Sequence, residues 1–367
     1  MSESAAAKRL DRARSGLADL GVEALLISHV PNVRYLTGFS GSAGWLLLGA
    51  DLAVFVTDGR YEEQAREELA ADAGLELRVL RDGILSGLAE WTAREFGGSR
   101  VGFEAKHISY EDWSRLDEKA EAVRWEAVSG LVENLRAVKD DDEIAAISKA
   151  ADIASEALLA TLPLVRPGVR EAEMASELDY RMVQLGAEGP AFETIVASGS
   201  RTALPHAATS RRRIQAGELL LCDFGANWRG YCSDLTRTFA VGEPTQRQTE
   251  VHATVREAQR EALSALRVGT SGTEVDAATR AAFERRALDA QFPHSTGHGL
   301  GLEVHEAPRL GRRSEEVLRA SMVVTIEPGL YFPGWGGVRI EDDVVVTGDQ
   351  PRLLANLERD RLEALPG

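Results

Sequence analysis

The chain has 367 residues, enough for two domains and a large core. Its 42 Lys and Arg stand against 58 Asp and Glu, and the resulting formal charge of -16 opposes the phosphate attraction on which nucleic-acid binding relies. No apolar run approaches membrane-spanning length, no charged-then-apolar leader opens the sequence and only Cys222 and Cys232 carry thiols, so a cytoplasmic protein with no membrane segment is expected.

Residues 5–20 place Leu10, Ala13, Leu17 and Leu20 near helical spacing, with Gly21 as a stop. Strands are predicted at 22–29, 44–49, 52–58, 75–80, 100–103 and 121–126, alternating with helices at 61–72, 84–97 and 110–118. That alternation predicts an α/β domain, a mixed sheet covered by helices. No Gly-rich phosphate loop opens a helix there, so nucleotide binding has no support. Leu131 to Ala137, followed by the acidic run from Asp140 to Glu143, reads as a hinge between a first domain at 1–136 and a second at 137–367. The acids suit the N-terminus of a helix at 142–162, whose Ile144, Ile147, Ala151 and Leu158 recur on one face. Pro167 and Gly168 end it, and a second helix at 170–186 closes on Gly186. Another helix pair is predicted at 246–267 and 272–288, and the tail after Asp349 reads as a short polar terminus with a helix at 352–364.

Three motifs hold the chemistry: LLCDFGANWRGYCSDLTRTF (220–239), HSTGHGLGLEVHE (294–306) and TIEPGLYFPGWGGVRIEDD (325–343). The outer two read as hairpins with a Gly-rich turn and one carboxylate per arm, Asp223 with Asp234 and Glu327 with Glu341. Two carboxylates 4 Å apart repel by roughly 4 kcal/mol at an effective dielectric near 20, so four together in an apolar frame call for cations. Oxygen ligands with one imidazole, His298, suit a hard or borderline divalent ion, Mn²⁺ first, with Co²⁺, Zn²⁺ and Fe²⁺ open. Five protein ligands exceed what one catalytic ion uses, so two metal ions bridged by carboxylates are expected. Arg339, two residues before Glu341, is placed to pair bidentately with a ligand carboxylate. Tyr331 follows the turn after Glu327 and is a candidate site residue, with a core role as the alternative. Cys222 and Cys232 face opposite sides of their hairpin, so no disulfide is expected.

At these motifs, and in FETIVASGSRTALPHAATS (192–210) and NVRYLTGFSGSAG (32–44), the sequence resembles the pita-bread metallopeptidases, in particular the Xaa-Pro peptidases, prolidase and aminopeptidase P. The resemblance covers most of the chain. It implies a creatinase/prolidase-like α/β N-terminal domain that shapes and gates the site. It also implies an α+β pita-bread catalytic domain with a pseudo-twofold repeat of helix pair and β-hairpin. It implies that Asp223, Asp234, His298, Glu327 and Glu341 hold the metals, that His206 and His305 bind substrate and stabilise the tetrahedral intermediate, and that His294 lines the proline pocket. Arg339 and Tyr331 join the substrate-binding set. The expected reaction is hydrolysis of the Xaa-Pro bond at the N-terminus of a dipeptide or short peptide by a metal-bridging hydroxide, with Glu327 as general base. A homodimer is the family expectation. Arg34 and Arg60 are candidate clamps for the free carboxylate of a dipeptide. The alternatives are a methionine aminopeptidase-like exopeptidase and a non-catalytic pita-bread binding protein.

Overall fold

The computed structural model describes residues 4–71, 73–81 and 83–367. The chain divides into two compact units, Met1–Arg136 and Ala137–Gly367. The first opens with α1 (Ala5–Ser15) and α2 (Leu17–Leu20), one predicted helix broken at Gly16 and stopped by Gly21 in the left-handed conformation. β1 (Ala24–Ile27) leads into α3 (Val30–Thr37), then β2 (Trp45–Gly49), β3 (Ala53–Thr57), α4 (Glu62–Glu68), β4 (Glu76–Val79) and α5 (Ile84–Phe96). β5 (Arg100–Glu104), α6 (Tyr110–Lys119), β6 (Arg124–Val128) and α7 (Leu131–Arg136) complete the unit. The six strands form one mixed sheet in the order β4-β3-β2-β1-β5-β6, parallel at both ends and antiparallel at β1-β2-β3. Its core joins Leu26, Leu47, Val54 and Val101 of the sheet to Leu88 of α5 and Leu116 of α6.

Three expectations for this unit need correction. α3 is a helix that the strand-based reading passed over, although Pro31 in its first turn and Gly38 just past its end are helix-boundary signals. The predicted helix at 61–72 ends at Glu68, and residue 72 lies outside the described residues. The supposed hinge is the helix α7: Val132 is buried and the buried Arg136 donates to Asn32 Oδ1 at 2.7 Å.

The second unit begins with α8 (Asp141–Thr161) and α9 (Glu171–Gln184). Asp140 caps α8 in a reciprocal box with Glu143, an arrangement worth about 1 kcal/mol. The short β7 (Gly189–Pro190) and β8 (Ile195–Ser198) precede the first hairpin: β9 (Leu219–Phe224), β10 (Ala226–Trp228), β11 (Tyr231–Cys232) and β12 (Leu235–Val241). α10 (Gln246–Ala265) and α11 (Gly272–Glu284) follow, each opened by a capping box. Then come β13 (Gly297–Gly299), β14 (Glu306–Leu310), β15 (Val323–Ile326), β16 (Gly329–Phe332), β17 (Gly336–Arg339) and β18 (Asp342–Val345). The order helix pair, hairpin, helix pair, hairpin is the repeat read from the sequence. Both thiols are buried, and no disulfide joins them.

Each hairpin is split where its acids stand. In the first, β9 pairs with β12 while the tip strands β10 and β11 join β7 in a separate sheet. In the second, β15 pairs with β18 while β16 and β17 form a two-stranded sheet of their own. Of the four acids only Asp223 lies within a strand; Asp234, Glu327 and Glu341 occupy the breaks. Convergence therefore comes from the bends, not from the alternation of side chains along a strand. At a bend the chain leaves the ladder and a side chain can turn toward the opposite hairpin. A bridge between Thr236 and Glu341, with Glu341 N donating to Thr236 O at 3.1 Å, joins the two hairpins at this seam.

The tail also departs from expectation. Among the described residues it contains no α-helix: β19 (Arg352–Leu353) pairs with β18, and β20 (Ala364–Leu365) pairs with β12. Nor is it a polar terminus, because Leu354, Leu357, Leu362 and Leu365 are buried. Pairing at both ends satisfies backbone groups that a helix would have satisfied internally.

Candidate active site

The breaks in the two hairpins and the strand β13 between them surround one cavity of about 670 Å³. The Gly-His-Gly sequence of β13 follows from crowding: a Cβ on Gly297 would lie 1.9 Å from Thr325 O, and one on Gly299 would lie 2.1 Å from Ala307 O. Only glycine lets β13 pass that close to its neighbours while His298 projects between them. His298 Nδ1 donates to Gly299 O at 3.1 Å, which leaves Nε2 as the acceptor, 3.6 Å from Asp234 Oδ2 and 3.5 Å from Glu327 Oε1. Burial lowers the imidazole pKa to about 4, so it is neutral at pH 7.

The acids behave in the opposite sense. Burial, then the mutual repulsion of Glu341, Asp223, Asp343 and Glu327, pushes Asp234 well above the usual carboxylate range. Burial and its acidic neighbours do the same to Glu341. Glu327 is pushed up to about 7, again chiefly by burial. Asp223 is raised less far because the Arg339 guanidinium opposes the burial term. Asp234, His298 and Glu341 each offer a ligand atom within 4.8 Å of the other two. Asp223 Oδ1 is buried with no hydrogen-bond partner among the described residues. A neutral imidazole, an orphaned carboxylate oxygen and acids that resist ionising together form a donor set fitted to divalent cations.

Thr236 Oγ1 donates to Glu341 Oε2 at 2.6 Å, and Asp234 N donates to Asp343 Oδ2 at 3.1 Å. Arg339 Nη2 reaches Asp223 Oδ2 at 2.5 Å, whereas its Nε is 3.9 Å from Glu341. Arg339 also donates to Thr236 Oγ1, Pro205 O and the Tyr331 hydroxyl. The expected bidentate pair is thus replaced by contacts spread over several groups, and the guanidinium has no free fork for substrate. Tyr331 is placed differently from its predicted role: it is buried, it is not among the cavity-lining residues, and it stands behind His294. A directed chain runs from Arg339 Nη1 to Tyr331 OH, from that hydroxyl to His294 Nε2 at 2.8 Å, and from His294 Nδ1 to Ser295 O at 2.8 Å. It fixes the His294 ring as a neutral tautomer, and burial lowers its pKa to about 4.

His206 and His305 also line the cavity, both exposed, with the His305 ring 4.3 Å from that of His298. Phe192, Ile195, Pro205, Pro293 and Val304 give an apolar wall. The sequence reading missed Arg309, which β14 sets opposite His298 in register. It is exposed, and its guanidinium has no hydrogen bond or ion pair among the described residues. The only advance signal was its place four residues after His305. Glu306, also at the cavity, is taken up by the buried Lys139 at 2.6 Å.

Residues 145–348 match the model of metallopeptidase family M24. The chain belongs to this family. Residues 9–138 match the creatinase/prolidase N-terminal domain, so an M24 peptidase fold follows a creatinase-type domain, the pita-bread arrangement. The M24 chain is 40% identical to a solved Xaa-Pro dipeptidase from Bacillus anthracis, with a TM-score of 0.94 and coverage of 98% of this chain and 100% of that one. It is 38% identical over 341 residues to an Xaa-Pro dipeptidase of Pyrococcus horikoshii, covering 92% of this chain and 94% of that relative. An X-Pro aminopeptidase from Thermotoga maritima superposes with a TM-score of 0.86 at 34% identity, over 94% of this chain and 98% of that one. M24 membership makes the chain an enzyme, a metal-dependent peptidase. No helix among the described residues is long and apolar enough to cross a membrane.

Proposed function

We propose that this peptidase hydrolyses the Xaa-Pro bond at the N-terminus of short peptides, dipeptides foremost. It would use two divalent metal ions held by Asp223, Asp234, His298, Glu327 and Glu341. The observation that carries the reading is the meeting of buried acids and a neutral imidazole in one cavity whose other wall is apolar. Relatives bearing the Xaa-Pro dipeptidase name across nearly their whole length support the substrate class. Mn²⁺ is the first candidate, ahead of Co²⁺, Zn²⁺ and Fe²⁺, since the donors are mostly oxygen. The work is assigned to the cytoplasm and to a homodimer.

When bound, the ions supply Lewis acidity toward the scissile carbonyl and lower the pKa of a coordinated water. Glu327, with its carboxylate 3.5 Å from His298 Nε2, can take a proton from the attacking water and return it to the leaving proline nitrogen. His206 and His305 face the same cavity and donate toward the oxyanion. A proline nitrogen in peptide linkage carries no N–H, so the ring is selected by shape against Phe192, Ile195, Pro293, Val304 and the fixed face of His294.

Dipeptides are favoured because the cavity lining offers a partner for a free carboxylate. Of its two arginines, Arg339 is spent on Asp223, Tyr331 and Pro205, and Arg309 is uncommitted. Arg60, suggested earlier for this task, folds back on its neighbour Asp58 at 2.8 Å. Assaying Xaa-Pro, Xaa-Pro-Yaa, Xaa-Ala and Met-Ala peptides after chelation and add-back of Mn²⁺, Co²⁺ or Zn²⁺ tests the whole reading. Turnover that survives exhaustive chelation, or that runs on Met-Ala and not on Xaa-Pro, would overturn it.

A further inference from the structure

Behind the seam of acids, Asp342 is fully buried and adjoins Glu341 in sequence. Three elements converge on its carboxylate. Arg237 of β12 donates to Oδ1 at 2.6 Å, Gln259 of α10 donates to Oδ2 at 2.9 Å, and Arg359 of the C-terminal tail stands 3.0 Å from Oδ2 and donates to Oδ1 at 3.2 Å. The same groups hold the backbone of the site. Arg237 Nη1 donates to Glu341 O at 2.6 Å and to Thr236 O at 2.8 Å, while its Nε donates to Glu358 O at 2.9 Å. Gln259 reaches the carbonyls of Ile326 and Ile340, the residues immediately before Glu327 and Glu341. The tail is itself tied down on either side of Arg359, by Arg359 Nη2 donating to Ala355 O at 2.7 Å and by Asp360 receiving Arg256 and Arg260 of α10.

We infer that the C-terminal tail is a brace for the metal centre, with Arg359 as a positioning residue that acts through Asp342 on Glu341 and Glu327. The inference rests on the metal-centre reading above. Glu327 and Glu341 sit at breaks between strands, so no ladder hydrogen bonds fix them from both sides, and their direction depends on what grips the flanking carbonyls. Asp342 collects those grips. Its buried carboxylate faces the guanidiniums of Arg237 and Arg359, so it is held in place by β12 and the tail together. Outer-shell partners of this kind typically change metal affinity by 10- to 100-fold when removed.

The test is calorimetric titration of the metal-free full chain with Mn²⁺, beside thermal melts in chelator, for wild type, Arg359→Met, Arg359→Lys and the exposed control Arg361→Met. The expected result is a loss of about 10-fold or more in Mn²⁺ affinity for Arg359→Met, with its metal-free melt close to wild type, and no change for Arg361→Met. Arg359→Lys keeps the charge and should recover part of the affinity; it also serves if Arg359→Met fails to fold. Unchanged affinity in Arg359→Met and Arg359→Lys, with wild type binding normally, would overturn the brace alone. An affinity loss matched by a collapse of the metal-free melt in both would also overturn it, as a merely structural contact. A wild-type chain that takes up no Mn²⁺ would overturn the metal-centre reading and the brace together.

Discussion

On its buried side the cavity is lined by Asp223, Asp234 and Glu341, each within a web of named hydrogen bonds; on its exposed side stand His206, His305 and Arg309, whose side chains make no hydrogen bond among the described residues. The buried groups are expensive to assemble and have fixed directions, so they suit a ligand that must be held permanently. The exposed groups are solvated until something displaces the water, so their interactions are made with substrate and transition state. Changes on the buried side should therefore act on metal binding in an all-or-none manner, and changes on the exposed side should be graded with metal retained. The largest expected effect follows: Asp234→Ala removes the acid grouped with His298 and Glu341 around one point and should reduce activity to background and abolish stable metal uptake together. Metal analysis of the purified variant checks this, and retention of two ions per chain would break the contrast and remove Asp234 from the residues that would hold the metal.

His305→Ala should keep its metal content and lose about 10²-fold in kcat, the scale of one oxyanion-type donor. A metal-depleted His305 variant would move this residue to the buried class. Arg309→Ala should be milder and selective. A charge-assisted pair with a substrate carboxylate is worth roughly 1.5 to 3 kcal/mol, so KM for Xaa-Pro should rise about 10-fold or more while Xaa-Pro-Yaa changes little. Equal losses on both substrates would remove Arg309 as the carboxylate partner, and a wild-type preference for the longer peptide would favour aminopeptidase P activity.

The same contrast explains what could be read from the sequence. Asp223 and Glu327 were legible because acids following the apolar runs Leu219 to Cys222 and Val323 to Ile326 are anomalous in themselves, and Asp234 and Glu341 because they stand on the second arms of the same hairpins. Most strands and helices were legible from periodicity and glycine stops. Arg309 was not, because a lone arginine in an Ala-Pro-Arg-Leu stretch gains meaning only from the register that sets β14 against His298. The tail misled for a related reason. Leu354, Leu357, Leu362 and Leu365 recur at spacings compatible with a helix, yet pairing with β18 and β12 and the grip of Arg359 on Asp342 override that preference. Arg339 pairs with the carboxylate of Asp223, as its spacing suggested, but not as a fork, and Tyr331 takes its alternative core role, since the direction of a hydrogen-bond chain is not written in residue spacing.

The smallest predicted effect tests the buried side by its proton linkage. In the metal-free protein Asp234, Glu341 and Asp343 are raised well above their ordinary pKa and Glu327 is raised to about 7, all chiefly by burial. An acid whose folded pKa is raised binds more protons folded than unfolded, so its contribution to stability is present at low pH and is lost as pH rises through the folded pKa. His294 and His298, lowered to about 4, work in the other direction: their contribution is full above the unfolded histidine pKa near 6.5 and is lost as pH falls toward 4. Below about pH 7.5 the two sets oppose each other. Between about pH 7.5 and 8.5 the histidines are almost wholly neutral in both states, and the acids dominate the change. The chelated protein should therefore lose Tm steadily across that window, by about 2–4 °C for each kcal/mol of linked stability. Saturating Mn²⁺ should flatten or reverse the slope, because cations stabilise the ionised acids and compete with protons for them. A chelated Tm that stays level or rises from about pH 7.5 to 8.5 would mean that the acids are ionised and satisfied without metal, and the buried side of the cavity would then have no need of a cation.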